Sequence, residues 1–374
     1  MTEEVAVEKL ENNFFYALYS YRPGPQSSPN DKGDNVNEKA TENSGFSLSH
    51  ILSNLPESTE TSLSQFLFTK ISKGLLYNDA SSISSFMYSE GDLEKEMYCY
   101  YCKLSGSDSA NMDINLGKGD SGDSGPKAHV VCFLTLHENM LDHFRHELDM
   151  YALGLFKFLE QENEAQVKLS MERWSYETTE YLCRSLRLVG QDIKYLMYAA
   201  LMDAQLVFDG VESSVQQDLI RFVRSCSLGD ILKQTESPLS GSLDMLADLN
   251  ISEDKKRTVQ IKADNDGLKF EPEYCTKFCD DWSQSVNSLS TDNPGLIRQF
   301  IEAGKMKYTQ SINTLKRLMM QAENDFYALY RAYMFLKNSG NCEILLNCAH
   351  LDSIPETYNV FKCLEEFVKE TGVR

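Results

Sequence analysis

The chain has 374 residues, 42% of them hydrophobic and 25% charged, enough apolar material for two or so packed domains of about 100–200 residues each. Its formal charge of −20 repels nucleic-acid phosphate and anionic membrane surfaces, which argues against general binding of either. The opening MTEEVAVEKL is acidic without an apolar core, and no apolar run approaches the ~18 residues of a membrane span, so the reading is of a soluble, cytoplasmic chain whose ten cysteines are reduced thiols.

In chain order, NFFYALYSYR (13–22) reads as an aromatic-rich strand that stops at Pro23. Residues 23–45 are a polar loop rich in Pro, Gly, Asn and Ser, with nothing to bury. Leu63, Phe66, Leu67, Ile71 and Leu75 then recur at helical spacing over 61–76, after a start signal at Pro56 and Ser58. EMYCYYCKL (96–104) and HVVCFLTL (129–136) are further strands, separated by a second polar loop, 105–127. Leu141, Phe144, Leu148, Tyr151, Leu155 and Phe158 predict one strong helix. The expected N-terminal part, 1–160, is therefore an α+β module, an antiparallel sheet with helices in longin-like order.

From 165 to 374 the chain reads as a mainly helical domain, a C-terminal helical bundle. Leu182, Leu186, Val189, Ile193, Leu196 and Ala200 form one stripe, and Val215, Leu219, Phe222 and Cys226 another. TVQIKA (258–263) alternates like a brief strand, and Tyr274, Phe278, Trp282 and Val286 recur every four residues. Tyr308, Ile312, Leu315, Met319, Ala322, Phe326, Leu329, Tyr333 and Leu336 step by four and three, predicting one unbroken helix. Leu318, Tyr330 and Phe335 widen this stripe beyond a coiled-coil seam, so a bundle helix is expected, ending at Asn338, Ser339 and Gly340. A last helix is expected over 356–370, with Phe361, Leu364 and Val368 on one face.

Four groups of residues invite a chemical reading. Cys99 and Cys102 have the C-x-x-C spacing of a zinc or redox site. In a strand, however, alternation turns Met97, Cys99 and Tyr101 to one face and Tyr100, Cys102 and Leu104 to the other, so the sulfurs cannot share one tetrahedral ion. Cys275 and Cys279, four apart beside Trp282, would complete such a set or, more simply, serve as small core thiols. His143 and His146 flank an apolar stripe and read as a solvated helix face. Tyr327, Tyr330 and Arg331, on the flank of the aromatic run 321–340, are of the types enriched at protein interfaces. There is no G-x-S-x-G elbow, and the glycine-rich GKGDSGDSG (117–125) is acidic and lacks the G-K-[ST] of a phosphate loop. Neither an enzyme nor a bound cofactor is expected.

Many short stretches together resemble the Njmu-R family: LYSYR (18–22), CYYC (99–102), VVCFL (130–134), the FRxELDxY pattern of Phe144–Tyr151, FCDDW (278–282), NPGLIRQ (293–299), NTLKR (313–317), QAENDFYALYRAYMFLKNSG (321–340), ILL (344–346) and LEEFVKE (364–370). The resemblance implies a non-enzymatic subunit of a trans-Golgi complex with a WD-repeat β-propeller protein and a FAM-ninety-one-type protein. That complex acts with a TBC-domain adaptor and golgins in capturing endosome-derived, adaptor-coated vesicles, and the family also implies a role in spermatogenesis. It carries no position-by-position binding residues. The alternative from the residues alone is a zinc- or redox-dependent protein using Cys99 and Cys102.

Overall fold

The computed structural model describes residues 13–23, 46–73, 81–90, 93–105, 128–228, 258–264, 267–290, 292–351 and 358–371. Apart from their ends at Pro23 and Ser105, both expected polar loops lie outside the described residues. The chain divides into two compact units, Met1–Thr179 and Glu180–Arg374.

The first unit is built on a five-stranded antiparallel sheet. Its strands are β1 (Phe14–Pro23), β2 (Phe46–Ser53), β3 (Ser81–Glu90), β4 (Leu93–Ser105) and β5 (Ala128–Thr135), in the order β2-β1-β5-β4-β3. β1, β4 and β5 are the near-continuous aromatic and β-branched runs, and such runs mark strands buried on both faces. Helix α1 (Glu57–Ser72) covers one face: Leu63 and Leu67 pack on Phe15, Tyr19, Cys99 and Cys132. On the other face lie α2 (Met140–His143), α3 (Arg145–Glu160) and α4 (Glu164–Thr178). There Phe133 stacks on Tyr100 at 5.7 Å and on Trp174 of α4 at 5.0 Å, and the Tyr100 hydroxyl donates to Asp149 of α3 at 2.8 Å. The order strand-strand-helix, three strands, then helices is the longin-like order expected, with two strands added. β2 (FSLSHILS) and β3 (SSISSFMYSE) go beyond the sequence expectation: serines interrupt their Phe, Ile and Tyr residues and dilute the strand signal.

Two local differences have clear causes. The helix expected across Leu141–Phe158 is broken at Phe144, whose backbone (φ −112°, ψ 15°) leaves the helical region while its side chain is buried. The division of the chain falls at Thr179/Glu180 rather than near 160–165, because α4 is fastened to the sheet by Trp174, whose edge-on contact with Phe14 adds to the Phe133 stack.

The second unit is mainly helical: α5 (Tyr181–Val189), α6 (Ile193–Leu201), α7 (Ser213–Cys226), α8 (Lys277–Asn287), α9 (Pro294–Ala322), α10 (Phe326–Ser339), α11 (Cys342–Leu351) and α12 (Tyr358–Thr371). It also holds a three-stranded sheet, β6 (Gln205–Asp209), β7 (Thr258–Asp264) and β8 (Gly267–Glu271), in which β7 runs parallel to β6 and antiparallel to β8. The brief strand expected at 258–263 is thus its central strand, with Val259 and Ile261 buried. Asn293 caps α9 by accepting from the Leu296 N–H at 3.0 Å, with Pro294 in the first turn, where its missing N–H costs nothing. No helix among the described residues is long and apolar enough to cross a membrane.

The expected single helix over 308–336 is two. α9 ends at Ala322, and Asp325 (φ −140°, ψ 106°) restarts the chain as the N-cap of α10, its carboxylate accepting from the Tyr327 N–H at 2.9 Å. A capping aspartate offers the backbone a local alternative to helix continuation. α10 then buries Ala328, Ala332 and Leu336, four apart, so that of the expected set on this helix Leu336 is buried while Phe326, Leu329 and Tyr333 are not, and ends at Gly340 with φ 64°, the left-handed cap for which glycine is favoured.

Candidate partner interface

The cysteine candidates are dispersed. Cys99 lies with Met97 and Tyr101 under α1, and Cys102 points to the opposite face of β4; both are buried. Burial pushes the Cys99 thiol well above its usual range, with the neighbouring Cys132 thiol adding to the effect. Cys275 is half-buried and Cys279 buried at the start of α8 in the other unit, and burial raises the Cys279 thiol to about 12. A thiol held protonated is a poor metal ligand and a poor nucleophile. His143 is half-buried and His146 exposed. Among the described residues no group of three or more His, Cys, Asp and Glu is placed to hold a metal ion.

The aromatic residues are gathered. Because Ala328, Ala332 and Leu336 form the buried stripe of α10, the helix presents Tyr327, Tyr330 and Arg331 on its outer side. Phe326 is 78% exposed, Tyr327 66% and Tyr330 53%, and Phe367 of α12 is 42% exposed. Tyr327 stacks on Tyr330 with ring centroids 6.4 Å apart, Tyr330 meets Tyr333 at 6.4 Å, and Tyr333 meets Phe367 at 6.2 Å. The result is one ladder of rings running from the start of α10 onto α12. Met320, also exposed, stands just before the turn that leads into it.

The ladder is held from behind. The Arg331 guanidinium lies over the Tyr327 ring, 5.6 Å from its centroid, donates to Gln321 Oε1 at 3.2 Å, and stands 3.9 Å from the Asp325 carboxylate. The capping carboxylate thus fixes both the start of α10 and the cation that covers Tyr327. Contiguous exposed aromatics are a surface that a protein partner could cover: rings supply large apolar area at low entropic cost.

All three residues singled out in the sequence lie on this surface, but Arg331 is spent on internal contacts and acts as a support. Phe326 and Tyr333, assigned to the core stripe by heptad counting, are respectively exposed and half-buried. Phe367 joins the surface only through the packing of α12 beside α10. The one sequence signal for this arrangement is Asp325, whose N-cap role resets the helical phase.

The family model described as the Njmu-R1-like protein family matches residues 16–370. The Mus musculus protein named Protein Njmu-R1 is 30% identical over 374 aligned residues, which cover 96% of this chain and 91% of that protein.

Proposed function

The chain belongs to the Njmu-R1-like protein family, and from that premise we propose that it is a non-enzymatic scaffold or adaptor subunit of a vesicle-tethering complex. In this reading it sits peripherally at the trans-Golgi network and on vesicles. It joins a WD-repeat β-propeller protein and a FAM-ninety-one-type protein, and helps golgins and a TBC-domain adaptor capture endosome-derived, adaptor-coated vesicles. A contribution to spermatogenesis belongs to the same proposal. The observation that carries the adaptor reading is the exposed ring ladder from Tyr327 to Phe367, a surface suited to a protein partner. The net charge of −20 supports recruitment through proteins rather than through anionic lipid.

Affinity purification of the full chain under mild lysis is the test. Recovery of both the WD-repeat and the FAM-ninety-one-type protein is expected. Recovery of neither overturns the proposal.

A further inference from the structure

Edge strands usually carry a device that stops another strand from adding to them: a proline, a lysine, an inward charge, a bulge or shortness. β3 carries none of these between Ser81 and Ser89. It pairs with β4 in one unbroken register from Ser81↔Cys102 to Glu90↔Leu93, and the sheet order ends with it among the described residues. The opposite edge, β2, has an irregularity in its pairing at Leu18/Tyr19 of β1. A quarter of the chain is charged, yet SSISSFMYS (81–89) contains no Asp, Glu, Lys, Arg or His.

The orientation of this edge can be read from one contact. The Ser81 carbonyl accepts from Arg145 Nη2 at 2.6 Å, off the β3–β4 ladder. In an antiparallel pair, backbone direction alternates along the strand, so positions 81, 83, 85, 87 and 89 are those that turn N–H and C=O away from β4. Their side chains share one face, where Ser85 is exposed and Met87 is 53% exposed.

We propose that β3 is a self-association edge, on which β3 of a second copy pairs antiparallel about a twofold axis through Ser85. This register sets Ser85 against itself, Ile83 against the partner's Met87 on both sides of the axis, and Ser81 against the partner's Ser89. The outward N–H and C=O groups of Ile83, Ser85 and Met87 all find mates, the Ser81 carbonyl being held by Arg145, and the exposed Met87 thioether gains an apolar neighbour. Charge is compatible with this place: two chains of −20 repel over much of their surface, and pairing along Ser81–Ser89 brings no like-charged residues of β3 into opposition. An antiparallel edge is self-complementary under a twofold axis, which any isologous dimer requires.

The experiment is sedimentation equilibrium on the full chain up to about 50 μM at physiological salt. The mass is expected to rise from 42.6 kDa toward twice that value. Ser85→Lys places two ammonium groups on the axis and is expected to weaken the dimer at least about tenfold. Ser47→Lys on β2 is expected to leave it unchanged. In a Cys363→Ser background, Ser85→Cys should give a disulfide-linked dimer on mild oxidation, since directly opposed, hydrogen-bonded positions lie about 5.5 Å apart, within disulfide reach; Ser47→Cys should not. This arm stands even if Ser85→Lys fails to fold. A chain that stays monomeric at about 50 μM overturns the proposal and leaves β3 to a strand from another protein, and so does a dimer indifferent to Ser85→Lys or a crosslink equally strong at position 47.

Discussion

Gly304 of α9 lies directly against the indole of Trp282 of α8: a Cβ built on the glycine would stand 2.1 Å from Trp282 Nε1. The same nitrogen donates to the Phe300 carbonyl one turn earlier in α9, at 3.2 Å. The glycine, inside a long helix, is required by close approach and not by backbone conformation. Gly304→Ala would gain helix propensity, worth about 1 kcal/mol, but must push the indole away and break its hydrogen bond. Overpacking costs about 1–3 kcal/mol and a lost buried hydrogen bond about 1 kcal/mol more. The net expectation is a loss of roughly 1–3 kcal/mol in urea unfolding, with a change in Trp282 fluorescence. Unchanged or increased stability would show that the helices separate freely here.

The opposed faces of Cys99 and Cys102 make both thiols packing groups. Purified protein is expected to carry less than about 0.1 equivalent of zinc, since structural sites fill tightly. Replacing both residues by Ala should cost about 1–3 kcal/mol through small cavities on the two faces of the sheet, and leave partner recovery intact. A full equivalent of zinc, or loss of partners from a folded double variant, would reverse this assignment.

Thiol burial also sets an alkaline limit. Burial raises Cys183 and Cys342 to about 11 and Cys226 and Cys279 to about 12, from an ordinary value of 9.0. Each raised thiol holds its proton more tightly when folded, so the unfolded chain releases protons first as pH rises. Its contribution to stability is therefore full below pH 9 and is lost between 9 and about 11 or 12. Urea midpoints should fall from pH 8 to 10.5, and Cys226→Ala, though less stable at pH 8, should show a shallower fall. At pH 8 a thiol reagent should modify the exposed Cys363 first and the half-buried Cys275 next, reaching the eight buried cysteines on unfolding. Rapid reaction at Cys226 or Cys279 in the folded chain would contradict their burial.

What the sequence discloses follows from how each element meets solvent. β1, β5 and the Met97–Cys102 stretch of β4 are legible because burial on both faces makes their residues mostly apolar. β2 and β3 are edges with one wet side, and their serines hide them among loops. The α9–α10 hairpin was half legible: apolar period survives in both helices, but Asp325 shifts its phase, and counting heptads through a cap carried Phe326 into an imagined core. Phe367 could not be joined to Tyr333 from sequence, since only the packing of α12 beside α10 brings the rings to 6.2 Å.

The ring ladder yields the prediction closest to function. Tyr327 and Tyr330 are more than half exposed, so truncating both removes little buried surface. Tyr327→Ala with Tyr330→Ala should change stability by less than about 1 kcal/mol. If these rings anchor a partner, the same double variant should weaken co-purification of the proposed subunits by at least about tenfold, the usual effect of losing aromatic hot spots. Arg331→Ala acts differently: it uncovers Tyr327 and frees Asp325 and Gln321, so a smaller effect is expected, and Arg331→Lys should recover part of it by keeping the cation over the ring. A stable double variant that retains every partner would move the contact surface off α10 altogether.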